Sequence, residues 1–152
     1  MLHLHADMPP PRFVPTAPAS DQLDAALLAA PVLIVEDEAM IAWTMESLLE
    51  DLGFTRISIA PSGEAAIEEA RRLAPQLVVS DINLGPRRMD GVAAVIAILA
   101  DAAPAVVFVT GYADEAAQAR IRFHVPGAVV LAKPVGGGQL AQAINAAASP
   151  HR

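Results

Sequence analysis

The sequence predicts a doubly wound α/β domain built on five parallel strands, and three observations carry that prediction. Five short runs rich in Val, Ile and Leu alternate with longer segments of helical periodicity from Pro31 onward. Most of those runs place apolar residues in succession, as strands buried on both faces of a parallel sheet require. The chain has 152 residues, 54% of them hydrophobic, enough for one core of ordinary size.

The strand-like runs are VLIV (32–35), TRISIA (55–60), QLVVSD (76–81), AVVFVT (105–110) and AVVLA (128–132). After the first comes a stripe of Ile41, Met45, Leu48, Leu49 and Leu52, with Glu46 and Glu50 on the opposite face and Gly53 as a C-terminal stop. A second helix is expected over Ser62 to Leu73, with its acids Glu64, Glu68 and Glu69 ahead of Arg71 and Arg72, as the helix dipole favours. A third spans Gly91 to Ala100 and aligns Val92, Val95, Ile96 and Leu99. The fourth, about Ala113 to Phe123, and the fifth, about Gln139 to Ala148, are rich in alanine. Right-handed crossovers then cover both faces of the sheet.

Residues 1–20 include Pro9, Pro10, Pro11, Pro15 and Pro18, which opposes regular structure and predicts an extended tail. Residues 21–29 suit a short helix capped by Ser20 or Asp21. The expected division is a flexible extension over 1–29, a domain over 30–149 and a tail over 150–152. The absence of cysteine excludes disulfides and thiolate metal sites. A net charge of -7 argues against a nucleic-acid partner. The start lacks a cationic segment followed by an apolar run, so a cytoplasmic location is expected. The apolar stretch from Gly91 to Val109 is divided by Asp101 and Pro104 into a helix and a strand, so no membrane association is expected.

The polar residues at the strand ends carry the chemistry. Ligands of such sheets bind beyond the carboxyl ends of the strands. Those ends carry Glu36 and Asp37, Asp81, Thr110 and Lys133. With a strand order of 2-1-3-4-5, the three carboxylates converge. Two unit charges 4 Å apart repel by about 4 kcal/mol at an effective dielectric near 20, so the cluster calls for a counter-ion. Oxygen ligands without nearby His or Cys favour Mg²⁺. Lys133 is the one lysine among ten basic residues. An arginine-biased chain that keeps a lysine at a strand end points to a need for a compact ammonium there. Pro134 follows, and a cis Lys133–Pro134 bond would turn the side chain back toward the acids.

VEDE at 35–38, SDINL around Asp81, VTG around Thr110 and Lys133–Pro134 together resemble the receiver domain of two-component response regulators. The likeness spans about residues 31–149 and implies a flavodoxin-like (βα)5 fold with strand order 2-1-3-4-5. It implies that Asp81 takes a phosphoryl group from a histidine kinase or a histidine phosphotransferase. Asp37, Asp81 and the backbone carbonyl of Asn83 would then hold Mg²⁺, with Glu36 acting through water. Thr110 and Lys133 would bind the phosphoryl oxygens. Each residue alone has a plainer explanation: a turn carboxylate for Asp81, a helix cap for Asp37, a bare turn for Thr110 and Gly111. Four motifs in order at strand ends do not.

Two positions depart from the common receiver pattern. Val130 stands where many receivers carry a switchable aromatic ring. The run Phe108-Val109-Thr110-Gly111-Tyr112 is similar to the FATGUY subgroup, and makes Tyr112 either an alternative aromatic lever or a partly buried tyrosine. Arg87 and Arg88 read as a solvated loop, the alternative being an attraction for the kinase or the incoming phosphoryl group. Gly136 to Gly138 read as a flexible helix entry, and Trp43 as a surface or partner contact. The four histidines lack metal-site spacing.

After Lys133 only one helix and a short tail follow. The expectation is therefore a single-domain regulator that signals by binding a downstream protein and is not an enzyme. The alternatives are a phosphate shuttle or sink, a phosphohydrolase working through an aspartyl phosphate, and an unphosphorylated pseudo-receiver. The phosphohydrolases of that kind place their nucleophile on the first strand with a second Asp two residues on. Glu36-Asp37-Glu38 does not match that pattern, and Asp81 is followed by Asn83.

Overall fold

The computed structural model describes residues 23–149. Its elements run α1 (Ala25–Ala29), β1 (Pro31–Val35), α2 (Ala39–Leu52), β2 (Arg56–Ala60), α3 (Gly63–Leu73), β3 (Leu77–Ser80), α4 (Gly91–Leu99), β4 (Ala105–Thr110), α5 (Glu115–His124), β5 (Val129–Ala132) and α6 (Gly137–Ala148). The strands form one parallel sheet in the order β2-β1-β3-β4-β5, as the sequence predicts.

Alternate residues of the interior strands feed two cores. Leu33, Val35, Val78, Val106 and Phe108 pack against the α3–α4–α5 side, with Val92 and Val95 of α4 opposite them. Val32, Ile34, Val79, Val107 and Val109 face Met45 and Leu49 of α2 and Leu140 and Ile144 of α6. A run buried on both faces must be apolar throughout, which is why β1, β3 and β4 read as nearly continuous apolar runs. The AVVLA run reads the same way, yet β5 alternates between half-buried and exposed residues. It is an edge strand with a neighbour on one side only, so its apolar composition overstates its burial.

Local chemistry sets the helix ends. The Ser62 hydroxyl accepts the Ala65 amide at 3.1 Å and starts α3. Gly53 ends α2 in the left-handed region at φ 110°, as expected of a C-terminal glycine. The glycines expected as a flexible helix entry stand at the start of the last helix, with Gly136 as its N-cap. Gly137 and Gly138 form the first turn of α6, and the Gly136 amide donates to Gln139 Oε1 at 3.1 Å.

The short helix expected within 21–29 is capped by Asp24 rather than Ser20 or Asp21. Its Leu27 is buried, and Leu28 lies against Gly53. The body of the fold therefore begins before residue 30. The expectations for residues 1–22 and 150–152 lie outside the described residues. Among the described residues no helix is long and apolar enough to cross a membrane.

Candidate functional site

Register decides what meets at the carboxyl edge of the sheet. β1 and β3 pair with Val35 opposite Ser80, so the next residues, Glu36 and Asp81, leave neighbouring strands side by side. The main chain fixes both. The Glu36 amide donates to the Ala60 carbonyl at 3.1 Å and the Asp81 amide to the Val35 carbonyl at 2.9 Å. β4 and β5 pair with Thr110 opposite Ala132, and the Lys133 amide extends that ladder by donating to the Thr110 carbonyl at 2.9 Å.

Lys133 crosses the edge to the acids. Its Nζ donates to Glu36 Oε1 and to Asp81 Oδ2, each at 3.0 Å. The Lys133–Pro134 bond is cis. Asp81 Oδ1 accepts the Asn83 amide at 3.2 Å, and Glu36 Oε2 accepts the Glu38 amide at 3.3 Å. Glu36 is 5% exposed and Asp81 9%. Burial, together with the Asp81 charge, raises the Glu36 carboxyl above its ordinary value against the opposing pull of Lys133. Burial alone would depress Lys133, but its bonds to Glu36 and Asp81 outweigh that and hold the ammonium above its ordinary value.

Asp37 joins the pair from the exposed turn before α2. One carboxylate oxygen each from Glu36, Asp37 and Asp81 lies within 4.8 Å of the others. Two oxygens held opposite each other on Mg²⁺, at about 2.1 Å each, stand about 4.2 Å apart. The donor set is therefore all hard oxygen and close to the span such an ion needs. Three carboxylates against one ammonium leave net negative charge for a divalent cation to offset. The fit is good.

The other expected residues divide. Thr110 is buried at the edge, and its single hydroxyl proton goes to the Tyr112 carbonyl at 3.2 Å. Tyr112 is exposed at 73% rather than partly buried, and Val130 is exposed on the edge strand. Asn83, Arg87 and Arg88 lie in the exposed loop after β3, and Trp43 is exposed on α2.

That loop folds back over the acids. At Gly85, with φ 101°, the place a Cβ would occupy is 3.7 Å from Asp37 Oδ2 and 3.5 Å from Arg88 Cδ. Sequence reasoning missed four residues that hold Asp81 in place. The Ser80 hydroxyl donates to the Asp81 carbonyl at 2.8 Å. Gly91 lies so close to that carbonyl that a Cβ would overlap its oxygen. Asp90 caps α4 by accepting the Ala93 amide at 2.8 Å, and Arg120 of α5 grips Asp90. An Asp directly before an apolar helical run is a cap signature and was legible; nothing in the sequence marks Arg120.

A five-stranded sheet in this order, with acids, a hydroxyl and a lysine at its carboxyl edge, defines a flavodoxin-like α/β domain with a polar site where the ligands of such sheets bind. The chain matches the model of the response regulator receiver domain over residues 32–145 and belongs to that family. Among curated proteins it is similar to the transcriptional regulatory protein PdtaR of Mycobacterium tuberculosis. The two are 33% identical over 137 residues, which is 90% of this chain and 64% of PdtaR. It is also similar to the phyllosphere-induced regulator PhyR of Methylorubrum extorquens, at 36% over 93 residues, covering 59% of this chain and 34% of PhyR. The chain thus spans less than two thirds of the length of these relatives. Among solved structures, the signal receiver domain of a modulated diguanylate cyclase from Desulfovibrio desulfuricans superposes with a TM-score of 0.71. The identity is 32%, over 79% of this chain and 94% of that one.

Proposed function

We propose that this receiver domain is a Mg²⁺-dependent phosphoacceptor whose phosphorylated residue is Asp81, and that it signals by protein–protein contact. The observation that carries the proposal is the partly buried Glu36–Lys133–Asp81 bridge, with both bonds at 3.0 Å beside the Asp37 carboxylate. Membership of the family supports it.

In this reading the phosphoryl group arrives from the phosphohistidine of a histidine kinase or phosphotransferase. An Asp81 carboxylate oxygen attacks phosphorus in line, the P–N bond breaks, and the imidazole leaves with the bonding pair. Asp37, Asp81 and the Asn83 carbonyl would hold the metal, with Glu36 acting through water, and the ion would supply positive charge against the charge that builds on the transferring group. Lys133 already bonds Asp81 and keeps its ammonium beside the oxygens that become phosphoryl oxygens. Thr110 supplies the switch. Its hydroxyl leaves the Tyr112 carbonyl for a phosphoryl oxygen and so frees the segment leading into α5. Tyr112, exposed at the start of that segment, is the residue a partner reads, since Val130 offers no ring at the edge. The domain transfers and stores a phosphoryl group and does not turn over a substrate.

Intact-mass measurement after incubation with acetyl phosphate tests the proposal. The wild type gains one phosphoryl mass only with Mg²⁺ present, and hydroxylamine removes it, as expected of an acyl phosphate. Asp81→Asn gains none while keeping the fold. Equal labelling of Asp81→Asn and wild type would overturn the assignment.

A further inference from the structure

The segment that follows Asp81 is fastened at its far end by one carboxylate doing two jobs. Asp90 Oδ1 accepts the Ala93 amide at 2.8 Å and closes the first turn of α4. The same group accepts Arg120 Nη1 on Oδ2 at 2.6 Å and Arg120 Nη2 on Oδ1 at 3.3 Å. A two-point guanidinium contact fixes orientation as well as distance, which a lysine cannot do.

The next residue transmits that fixation. The Gly91 amide donates to the Ile82 carbonyl at 2.7 Å. A Cβ at Gly91 would overlap the Asp81 carbonyl oxygen and stand 2.7 Å from Ser80 Oγ, so the first turn of α4 sits directly on the main chain of Asp81 with no slack. Arg120 belongs to α5, the helix reached from Thr110 through Tyr112. A continuous path of hydrogen bonds and close contact therefore joins α5 to the backbone of Asp81.

We propose that Arg120 is a positioning residue for the Asp81 site: through Asp90 it holds the first turn of α4, and with it the main chain of Asp81, in fixed relation to α5. The effect on phosphoryl acceptance rests on the function proposed above; the mechanical coupling does not. Both partners are partly open to solvent, at 41% and 33%, and pairs so exposed add little to global stability. An effect on the site is therefore separable from an effect on the fold.

The test compares wild type with Arg120→Gln, Arg120→Lys, Asp90→Asn and the Arg120→Gln/Asp90→Asn double variant. Asp90→Asn keeps an oxygen for the helix cap and loses the charge. Two quantities are read: hydrogen exchange of the Gly91 amide in the unphosphorylated protein, and the initial rate of labelling by acetyl phosphate with Mg²⁺. Arg120→Gln should speed Gly91 exchange selectively and slow labelling by about fivefold, the lower end of typical coupling between sites. Arg120→Lys should recover part of both losses. The double variant should be no worse than either single one, because both remove the same contact.

Unchanged Gly91 exchange in Arg120→Gln would overturn the inference, as would a uniform rise across all amides or strictly additive effects in the double variant. Altered exchange with labelling equal to wild type would overturn Arg120 as a positioning residue for phosphoryl acceptance. If the wild type takes no phosphoryl group, the function proposed for Asp81 fails, and the exchange measurement still decides the coupling.

Discussion

At Asp81 the side chain and the main chain are held by different parts of the molecule. Lys133 and Asn83 take the two carboxylate oxygens, while Ser80 and Gly91 confine the carbonyl behind them. Gly91 is the least replaceable of these neighbours. Any side chain there must displace the end of β3 or the first turn of α4, and overpacking of a well-filled site destabilises by about 3 kcal/mol or less when neighbours give way, more when backbone must move. Gly91→Ala should therefore lose about 3 kcal/mol or more in urea denaturation, and if it folds its acid cluster should be displaced. A loss below about 1 kcal/mol would show that the contact relaxes. The charged residues of the site were legible because each stands at a strand end where a polar residue interrupts an apolar run. The residues behind them were not, since a Ser and a Gly beside a carbonyl carry no pattern of their own.

Among the elements, two helices end in the same left-handed conformation with different residues. α2 closes on Gly53 at φ 110°, and α3 closes on Ala74 at φ 50°. A Cβ in that region is strained by roughly 1–2 kcal/mol, and glycine avoids the strain while gaining chain entropy when unfolded. Ala74→Gly should raise stability by up to about 1 kcal/mol, seen as a higher urea midpoint, and Gly53→Ala should lower it. A lower midpoint for Ala74→Gly would mean that the Ala74 side chain contributes more packing than its conformation costs. Element identity was legible from β1 onward, because short unbroken apolar runs separate cleanly from longer segments of period 3.6 in this chain. Burial of β5 was not legible in its own run, which is as apolar as an interior strand; its edge place followed only from the strand order that the family resemblance implied. The helical start of α6 escaped for a related reason. Glycine is a poor helix former, and Gly137 and Gly138 join α6 only because Leu140 and Ala141 behind them are buried in the core.

For the whole molecule, the Asp90–Arg120 pair links two helices that share one face of the sheet, and it gives global stability a dependence on pH. Burial works against the Asp90 charge, but the Arg120 guanidinium and the amides of Ala93 and Val92 outweigh it and hold the carboxyl below its ordinary value of 3.8. A carboxylate depressed in the folded state adds stability that is fully present above 3.8 and disappears as pH falls through the folded value. Wild type should exceed Asp90→Asn in stability by about 1 kcal/mol or less at pH 7, as befits a partly exposed pair. That difference should shrink as pH drops below the ordinary aspartate range. Chemical denaturation of both proteins across that range provides the check, and a gap that stays constant would mean that Asp90 acts as a cap alone.

The bonds that Lys133 makes span 97 residues to Glu36 and 52 to Asp81. During synthesis, both acids leave the ribosome well before the cation that pairs with them. A nascent chain that has emerged only through β3 holds two neighbouring carboxylates destined for burial and no ammonium to meet them. If its first three strands pair at that stage, Glu36 and Asp81 repel each other there without the ammonium. Lys133, directly after β5, eases that repulsion, so within this sheet the strand translated last brings the cation that both acids lack until then.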